Sequence, residues 1–185
     1  VLAITLHEAA HGYVARAFGD PTAAERGRLS LNPLRHVDPF GTIIFPAMLL
    51  LARSPFVFGW AKPVPVDFSR LRHPRADSVW VAGAGPATNI ALAVVSALAV
   101  RLVPGDGGTG AALMMELLQN SIAINVVLAV FNMLPIPPLD GGRVAVGILP
   151  LALARPLARL EKYGMVILLA LLIGLPWLGS LVGLN

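Results

Sequence analysis

Cysteine is absent from the 185-residue chain, so disulfide bonds and thiolate metal ligands are excluded. Charged residues are also scarce at 13%, which is about half of the share found in an ordinary soluble domain. Hydrophobic residues make up 56% of the sequence, and the mean hydropathy is +0.75. This composition is typical of a protein embedded in a membrane, and the length fits a single domain covering residues 1–185.

The net charge of +4 does not indicate nucleic-acid binding. The basic residues lie in short segments between apolar blocks, a pattern that is typical of anchoring beside a membrane. We therefore expect a lipid bilayer, and no nucleic acid, as a partner. The chain starts at Val1 inside an apolar block and shows no signal peptide, so we expect that N-terminal residues are missing.

Five apolar blocks divide the sequence. They cover residues 1–18, 41–60, 79–103, 117–134 and 163–184. All except the second are long enough to cross a hydrocarbon core of ~30 Å as helices, which predicts an all-α polytopic membrane protein with about four transmembrane helices. The second block contains prolines and has basic segments on both sides, so we expect a re-entrant segment there. In residues 56–67, apolar residues alternate in part with other residues, which predicts a short β segment. The edge of this segment could pair with an extended peptide.

Lys and Arg are concentrated after the first block, before the third block, and between the fourth and fifth blocks. The Gly-rich loop from Pro104 to Glu116 contains neither residue. The positive-inside bias then predicts that the basic segments are cytoplasmic and that the Gly-rich loop is on the opposite side. We expect a multi-pass protein of the cell membrane whose functional site opens towards the cytoplasm.

Residues 7–11 of the first block read HEAAH, which is an HExxH motif. Positions four apart lie on one face of a helix, so the imidazoles of His7 and His11 can bind one zinc ion. Glu8 lies about 100° around the helix and is suited to take a proton from zinc-bound water. The alternative is an amphipathic helix with these groups in water. Because ionisable groups are costly to bury in an apolar block, the metal site is favoured.

A catalytic zinc site uses three protein ligands and keeps one position open. His36 and His73 are candidates for the third ligand, but both lie in basic segments that look solvated. Asp140 follows the fourth block and three prolines, and the two glycines after it allow close backbone approach. An Asp-Gly turn is the alternative interpretation. Since a third ligand is needed, we predict Asp140.

Asn89 and Asn132 lie in or at the end of apolar blocks, where an amide without hydrogen bonds is costly. Two roles stay open for them. They could hold a substrate carbonyl or stabilise an oxyanion, or they could form hydrogen bonds between helices. Asn125, inside the fourth block, is expected to bond between helices.

Three motifs occur in a fixed order: HEAAH in the first block, GPATN in the third, and NMLPIPPLDGG after the fourth. Together they resemble the site-2 protease family of intramembrane zinc metalloproteases. The segments LNPLRHVDPFGT and GWAKPVPV are similar to the compact prokaryotic branch of that family, which lacks PDZ and CBS domains.

This resemblance implies one Zn²⁺ per chain and transmembrane protein substrates. The site residues that it implies are the zinc ligands His7, His11 and Asp140, the general base Glu8, and Asn89 and Asn132 lining the site and contacting substrate.

The resulting hypothesis is an intramembrane zinc metalloendopeptidase that hydrolyses peptide bonds in or near transmembrane segments of membrane proteins. One alternative is a metal-ion transporter in which His7, His11 and Asp140 form a transit site. Another is an inactive scaffold that binds transmembrane helices. A transporter has no need for Glu8 as a base, which favours the protease.

Overall fold

The fold was analysed in a computed structural model of the chain. It describes residues 1–54, 57, 59–105, 107–171 and 174. The first seven α-helices in these ranges are α1 Leu2–Ala17, α2 Thr22–Glu25, α3 Phe45–Leu51, α4 Pro74–Val100, α5 Gly108–Asn132, α6 Asp140–Ile148 and α7 Leu151–Leu160. Residues 164–171 are also helical, and a π-helical turn, Pro39–Ile44, runs into α3.

Helices α4 and α5 are long and apolar enough to cross a membrane. They correspond to the third and fourth apolar blocks, so two of the predicted spanning helices are confirmed as long apolar helices. Helix α4 begins earlier than its block because Pro74, at the first helical position, has a φ suited to a helix start. The fifth block lies largely outside the described residues.

The Gly-rich loop is shorter than the sequence predicted. It was expected to extend from Pro104 to Glu116, but α5 already begins at Gly108. The residues that follow include alanine, leucine and methionine, which have high helix propensity and extend the helix backwards into the segment.

The second block is helical as far as Leu51, and its described residues after Leu51 are not helical. The π-helical turn and α3 form one apolar segment, Pro39–Leu51, that is too short to cross ~30 Å of hydrocarbon. After α3 the chain turns at Arg53, whose φ of 52° lies in the left-handed region.

The short β segment expected within residues 56–67 is not seen, since none of the described residues there is assigned to a strand. Isolated backbone hydrogen bonds hold this segment instead. Lys62 N donates to His36 O at 2.8 Å, and Trp60 N donates to Gly41 O at 3.1 Å. Pro63 and Pro65 have no N–H to donate, which prevents a continuous ladder.

Helix α4 is the centre of the described structure, because α1, α5 and α6 all pack against it. Close packing with α1 is helped by small buried residues such as Ala9 and Ala82. The HExxH motif of α1 and the start of α6 therefore face the same helix, and their side chains meet beside it.

Candidate metal centre

The two histidines of the motif project from successive turns of α1 and are both buried. Their ring centroids lie 4.7 Å apart with an interplanar angle of 84°. His7 Nε2 and His11 Nε2 are separated by 3.1 Å. This is the convergence expected of residues four apart on a helix.

Asp140, the first residue of α6, brings a carboxylate to the same point. Its Oδ2 atom lies 3.1 Å from His7 Nε2 and 3.4 Å from His11 Nε2. Ligand atoms of the three residues all lie within 4.8 Å of one another. Among the described residues, Asp140 Oδ2 is buried and has no partner with hydrogen-bond geometry, despite the short distances to both rings.

The hydrogen bonds on the far sides of the rings explain this arrangement. His7 Nδ1 lies 2.6 Å from Asn89 Oδ1, and His11 Nδ1 lies 2.7 Å from the carbonyl oxygen of Val81. Both acceptors require the hydrogen on Nδ1, so each neutral ring turns the lone pair of its Nε2 towards Asp140. Two nitrogen lone pairs and a carboxylate oxygen then converge without a hydrogen between them.

These residues fit a zinc ion. Zinc bonded to its ligands at ~2.0–2.1 Å in tetrahedral geometry separates neighbouring ligand atoms by about 3.3 Å. The three distances among the Nε2 and Oδ2 atoms are 3.1, 3.1 and 3.4 Å. Three protein ligands also leave the fourth tetrahedral position open, as catalytic zinc sites do.

Glu8 lies beside this cluster and is not part of it. Its carboxylate lines a cavity beside the cluster, and its Oε2 atom accepts a hydrogen bond from Val64 N at 2.9 Å. The bond ties the side chain to the extended segment that precedes α4. A carboxylate can accept about four hydrogen bonds, so this contact leaves acceptor capacity for a reacting group.

The cavity beside the cluster has a volume of about 380 Å³, within the usual range of ~300–1,000 Å³ for ligand sites. Asn132, at the end of α5, lines it together with Trp60 and Val64. The Asn132 amide donates one hydrogen bond to Leu128 O at 2.9 Å. Its Nδ2 carries two hydrogens, so it has a second donor for a group in the cavity.

Asn89 is fully buried and bonds to two other helices. Its Oδ1 atom faces His7 of α1, and its Nδ2 donates to Asn125 Oδ1 of α5 at 2.9 Å. Two roles were left open for Asn89. Its contacts in the structure match the second role, hydrogen bonding between helices. Asn125 makes the interhelical contact that was expected of it.

The other two candidate ligands lie outside the cluster. His73 is exposed, as its basic surroundings predicted. The solvated position expected for His36 is wrong, because the residue is only 2% exposed and its Nε2 donates to Ser30 O at 2.7 Å. The 3₁₀-helical turn Pro33–His36 packs against α1, and Lys62 N donates a hydrogen bond to the His36 carbonyl oxygen.

Sequence reasoning missed two parts of this site. The carbonyl of Val81 and the amide of Val64 are backbone groups, and no side-chain pattern indicates where backbone groups will bond.

A helical protein with a buried cluster of two histidines and one carboxylate, the histidines spaced as HExxH, has the site of a zinc metalloprotease. Comparison with known proteins agrees. Residues 106–175 match the family model described as peptidase family M50. The chain is 39% identical over 180 residues to "Putative zinc metalloprotease YwhC" of Bacillus subtilis, covering 94% of this chain and 77% of that protein.

A second relative is "Putative zinc metalloprotease Rip2" of Mycolicibacterium smegmatis, which is 30% identical over 173 residues. That match covers 94% of this chain but 64% of Rip2, so the chain spans less than two thirds of this relative. No solved structure matches the chain. The chain belongs to peptidase family M50, the site-2 protease family of membrane zinc metalloproteases.

Proposed function

We propose that this protein is an intramembrane endopeptidase that hydrolyses peptide bonds in or near transmembrane segments of other membrane proteins. In this proposal His7, His11 and Asp140 bind one zinc ion, and Glu8 is the general base. The observation that carries it is the convergence of three ligand atoms within 4.8 Å, with both Nδ1 atoms hydrogen-bonded away from the cluster. When bound, zinc supplies a Lewis acid that lowers the pKa of water and polarises a carbonyl.

Glu8 acts on the proton of the attacking water. It is adjacent to His7 on α1 but lies outside the ligand cluster, so its carboxylate is free to exchange a proton. The hydrogen bond from Val64 N holds the carboxylate at the cavity. After the attack, Glu8 passes the proton to the leaving amine, which completes the cleavage of the amide.

The substrate enters the cavity as an extended peptide. A transmembrane helix uses its carbonyls in internal hydrogen bonds, so it must unwind locally before a carbonyl can react. The segment containing Trp60 and Val64 borders the cavity, so the unwound peptide lies alongside it. Asn132 is the amide that holds the substrate carbonyl, since Asn89 uses its amide for His7 and Asn125.

The site lies at membrane depth, closer to the cytoplasmic end of the bundle. The ring partners Val81 and Asn89 lie about 10 Å and about 22 Å along α4 from its first residue, at ~1.5 Å per residue. In our topology α1, α4, α5 and the block at residues 163–184 are the four spans. The basic segments at the N-terminal end of α4 lie in the cytoplasm, and water reaches the site from there.

The test is to replace Glu8 by Gln in the full chain, reconstituted in liposomes with a synthetic transmembrane substrate. Gln keeps an oxygen for the Val64 N–H but cannot take a proton. We expect cleavage to fall by ~10²-fold or more, while zinc content per chain stays unchanged. Glu116→Gln, an exposed position on α5, is the matched control and should cleave like the wild type.

The same liposomes distinguish the alternative functions. A metal-ion transporter would carry zinc across the bilayer, and the Glu8→Gln variant would keep this activity because it keeps the ligands. A scaffold would bind the substrate helix without cleaving it. Unchanged cleavage in Glu8→Gln, or zinc flux without cleavage in the wild type, would contradict the proposal.

A further inference from the structure

A chain of buried amide groups connects α5 to the histidine pair. Asn125 Nδ2 donates to the carbonyl oxygen of Ser121 at 2.8 Å. Asn89 Nδ2 donates to Asn125 Oδ1 at 2.9 Å, and Asn89 Oδ1 lies 2.6 Å from His7 Nδ1. Asn125 is 3% exposed and Asn89 is 0% exposed, so solvent does not compete for these bonds.

The Ser121 carbonyl, at the α5 end of this series of hydrogen bonds, determines which groups donate and which accept along it. A backbone carbonyl only accepts hydrogen bonds, so Asn125 must turn its NH₂ group towards Ser121 and its oxygen towards Asn89. Asn89 must then turn its own NH₂ towards Asn125 and its oxygen towards His7. The other contact of Asn89 Nδ2, with Ala3 O, is 3.5 Å long and therefore much weaker.

This order of donors and acceptors determines which nitrogen of His7 carries the hydrogen. An oxygen facing Nδ1 requires the Nδ1–H tautomer, which leaves the Nε2 lone pair for the metal. His11 reaches the same tautomer through the backbone carbonyl of Val81, which cannot turn over. His7 depends instead on side chains, and Asn125 is the one that holds the Asn89 amide in the required orientation.

We propose that Asn125 is a positioning residue for metal binding, acting on His7 through the orientation of Asn89. The inference rests on the proposed zinc site. Without Asn125, the Asn89 amide can turn over and present its NH₂ to His7 Nδ1. The hydrogen of the neutral ring then moves to Nε2, which can no longer bind the ion. No ligand residue has been replaced, yet the protein holds zinc less tightly.

The experiment measures the rate at which zinc leaves the purified full chain, in detergent with an excess of a chromogenic chelator. Asn125→Leu is close in size to the wild type but makes no hydrogen bond. We expect its zinc dissociation rate to rise by ~10–100-fold, the usual effect of losing a residue that orients a ligand. If it does not fold, Asn125→Ala removes the same amide without adding a branched side chain.

Two further variants separate orientation from packing. Asn125→Asp, in its neutral acid form, donates to the Ser121 carbonyl and keeps an oxygen facing Asn89 Nδ2, so its zinc dissociation rate should stay close to that of the wild type. Ser96→Ala removes the hydrogen bond of 2.8 Å between Ser96 and Ser121, which joins α4 to α5. This bond reaches Asn125 only through a weak contact of 3.4 Å between Asn125 Nδ2 and the Ser121 hydroxyl, and the bond from Asn125 to the Ser121 carbonyl is kept. Ser96→Ala should leave the rate unchanged.

The outcomes are distinct. A wild-type zinc dissociation rate in both Asn125→Leu and Asn125→Ala would overturn the inference. An equal rise of the zinc dissociation rate in Ser96→Ala would also overturn it, because it would indicate general loosening of the two helices. In either case the wild type would still bind one zinc ion, so the proposed function would stand. A wild type that binds no zinc would instead overturn the proposed function and this inference together.

Discussion

Gly85 of α4 packs directly against His11 of α1. A Cβ atom built on Gly85 would lie 2.5 Å from His11 Nε2, 2.5 Å from His7 Cε1 and 2.6 Å from His7 Nε2. The rings cannot yield without losing the hydrogen bonds to Asn89 and Val81. The missing side chain of one glycine therefore sets how closely α4 approaches the metal centre.

We expect Gly85→Ala to displace the imidazoles and to weaken zinc binding by at least ~10-fold, as loss of an orienting contact does. Gly83→Ala is the matched control, because a Cβ at Gly83 meets nothing within 4 Å on the same helix. Alanine is favoured over glycine in a helix by about 1 kcal/mol, so the control should be at least as stable as the wild type. Equilibrium zinc titration of both purified variants measures the effect. Equal zinc affinity in the two variants would contradict the packing argument.

Part of the ligand cluster could be expected from the sequence, because the spacing of its two histidines is a short-range feature. The spacing of His7 and His11 places both rings on one helical face, and the search for a third ligand pointed to Asp140. The structure brings the side chains of these three residues together. The apolar blocks likewise predicted α4 and α5 to within a few residues, except for the earlier start of α5.

What could not be predicted depends on contacts between distant parts of the chain. His36 looked solvated because its neighbours in sequence are basic, but it is buried in a turn that packs against α1 and is hydrogen-bonded to Lys62. The role of Asn89 depends on which helix each end of its amide meets. Alternation within residues 56–67 suggested a strand, yet the prolines allow only isolated hydrogen bonds where the segment is described.

Removing one ligand should separate the metal site from the rest of the protein. We expect His11→Ala to lose most of its zinc on dialysis, because only His7 and Asp140 then remain. His73→Ala, which removes an exposed histidine outside the cluster, should keep one zinc ion per chain. Metal analysis by mass spectrometry measures both.

Thermal unfolding in detergent gives a second readout for the same pair of variants. Zinc at about 100 times its dissociation constant should stabilise the wild type and His73→Ala by ~2.7 kcal/mol. The same zinc concentration should have little effect on His11→Ala. A zinc-dependent shift of equal size in His11→Ala would mean that the ion binds elsewhere.

The absence of cysteine makes the proposed topology directly testable. Gly110→Cys lies in the first turns of α5, where a new side chain meets nothing within 4 Å, and Arg159→Cys lies on the exposed face of α7. The positive-inside bias assigns them to opposite sides of the membrane. In intact cells, a membrane-impermeant maleimide should label Gly110→Cys at once and Arg159→Cys only after the membrane is permeabilised. The cysteine-free wild type reports background labelling. If both positions react from the same side, α5 does not cross the bilayer between them, and the assignment of the metal centre to the cytoplasmic end of the bundle would fail with it.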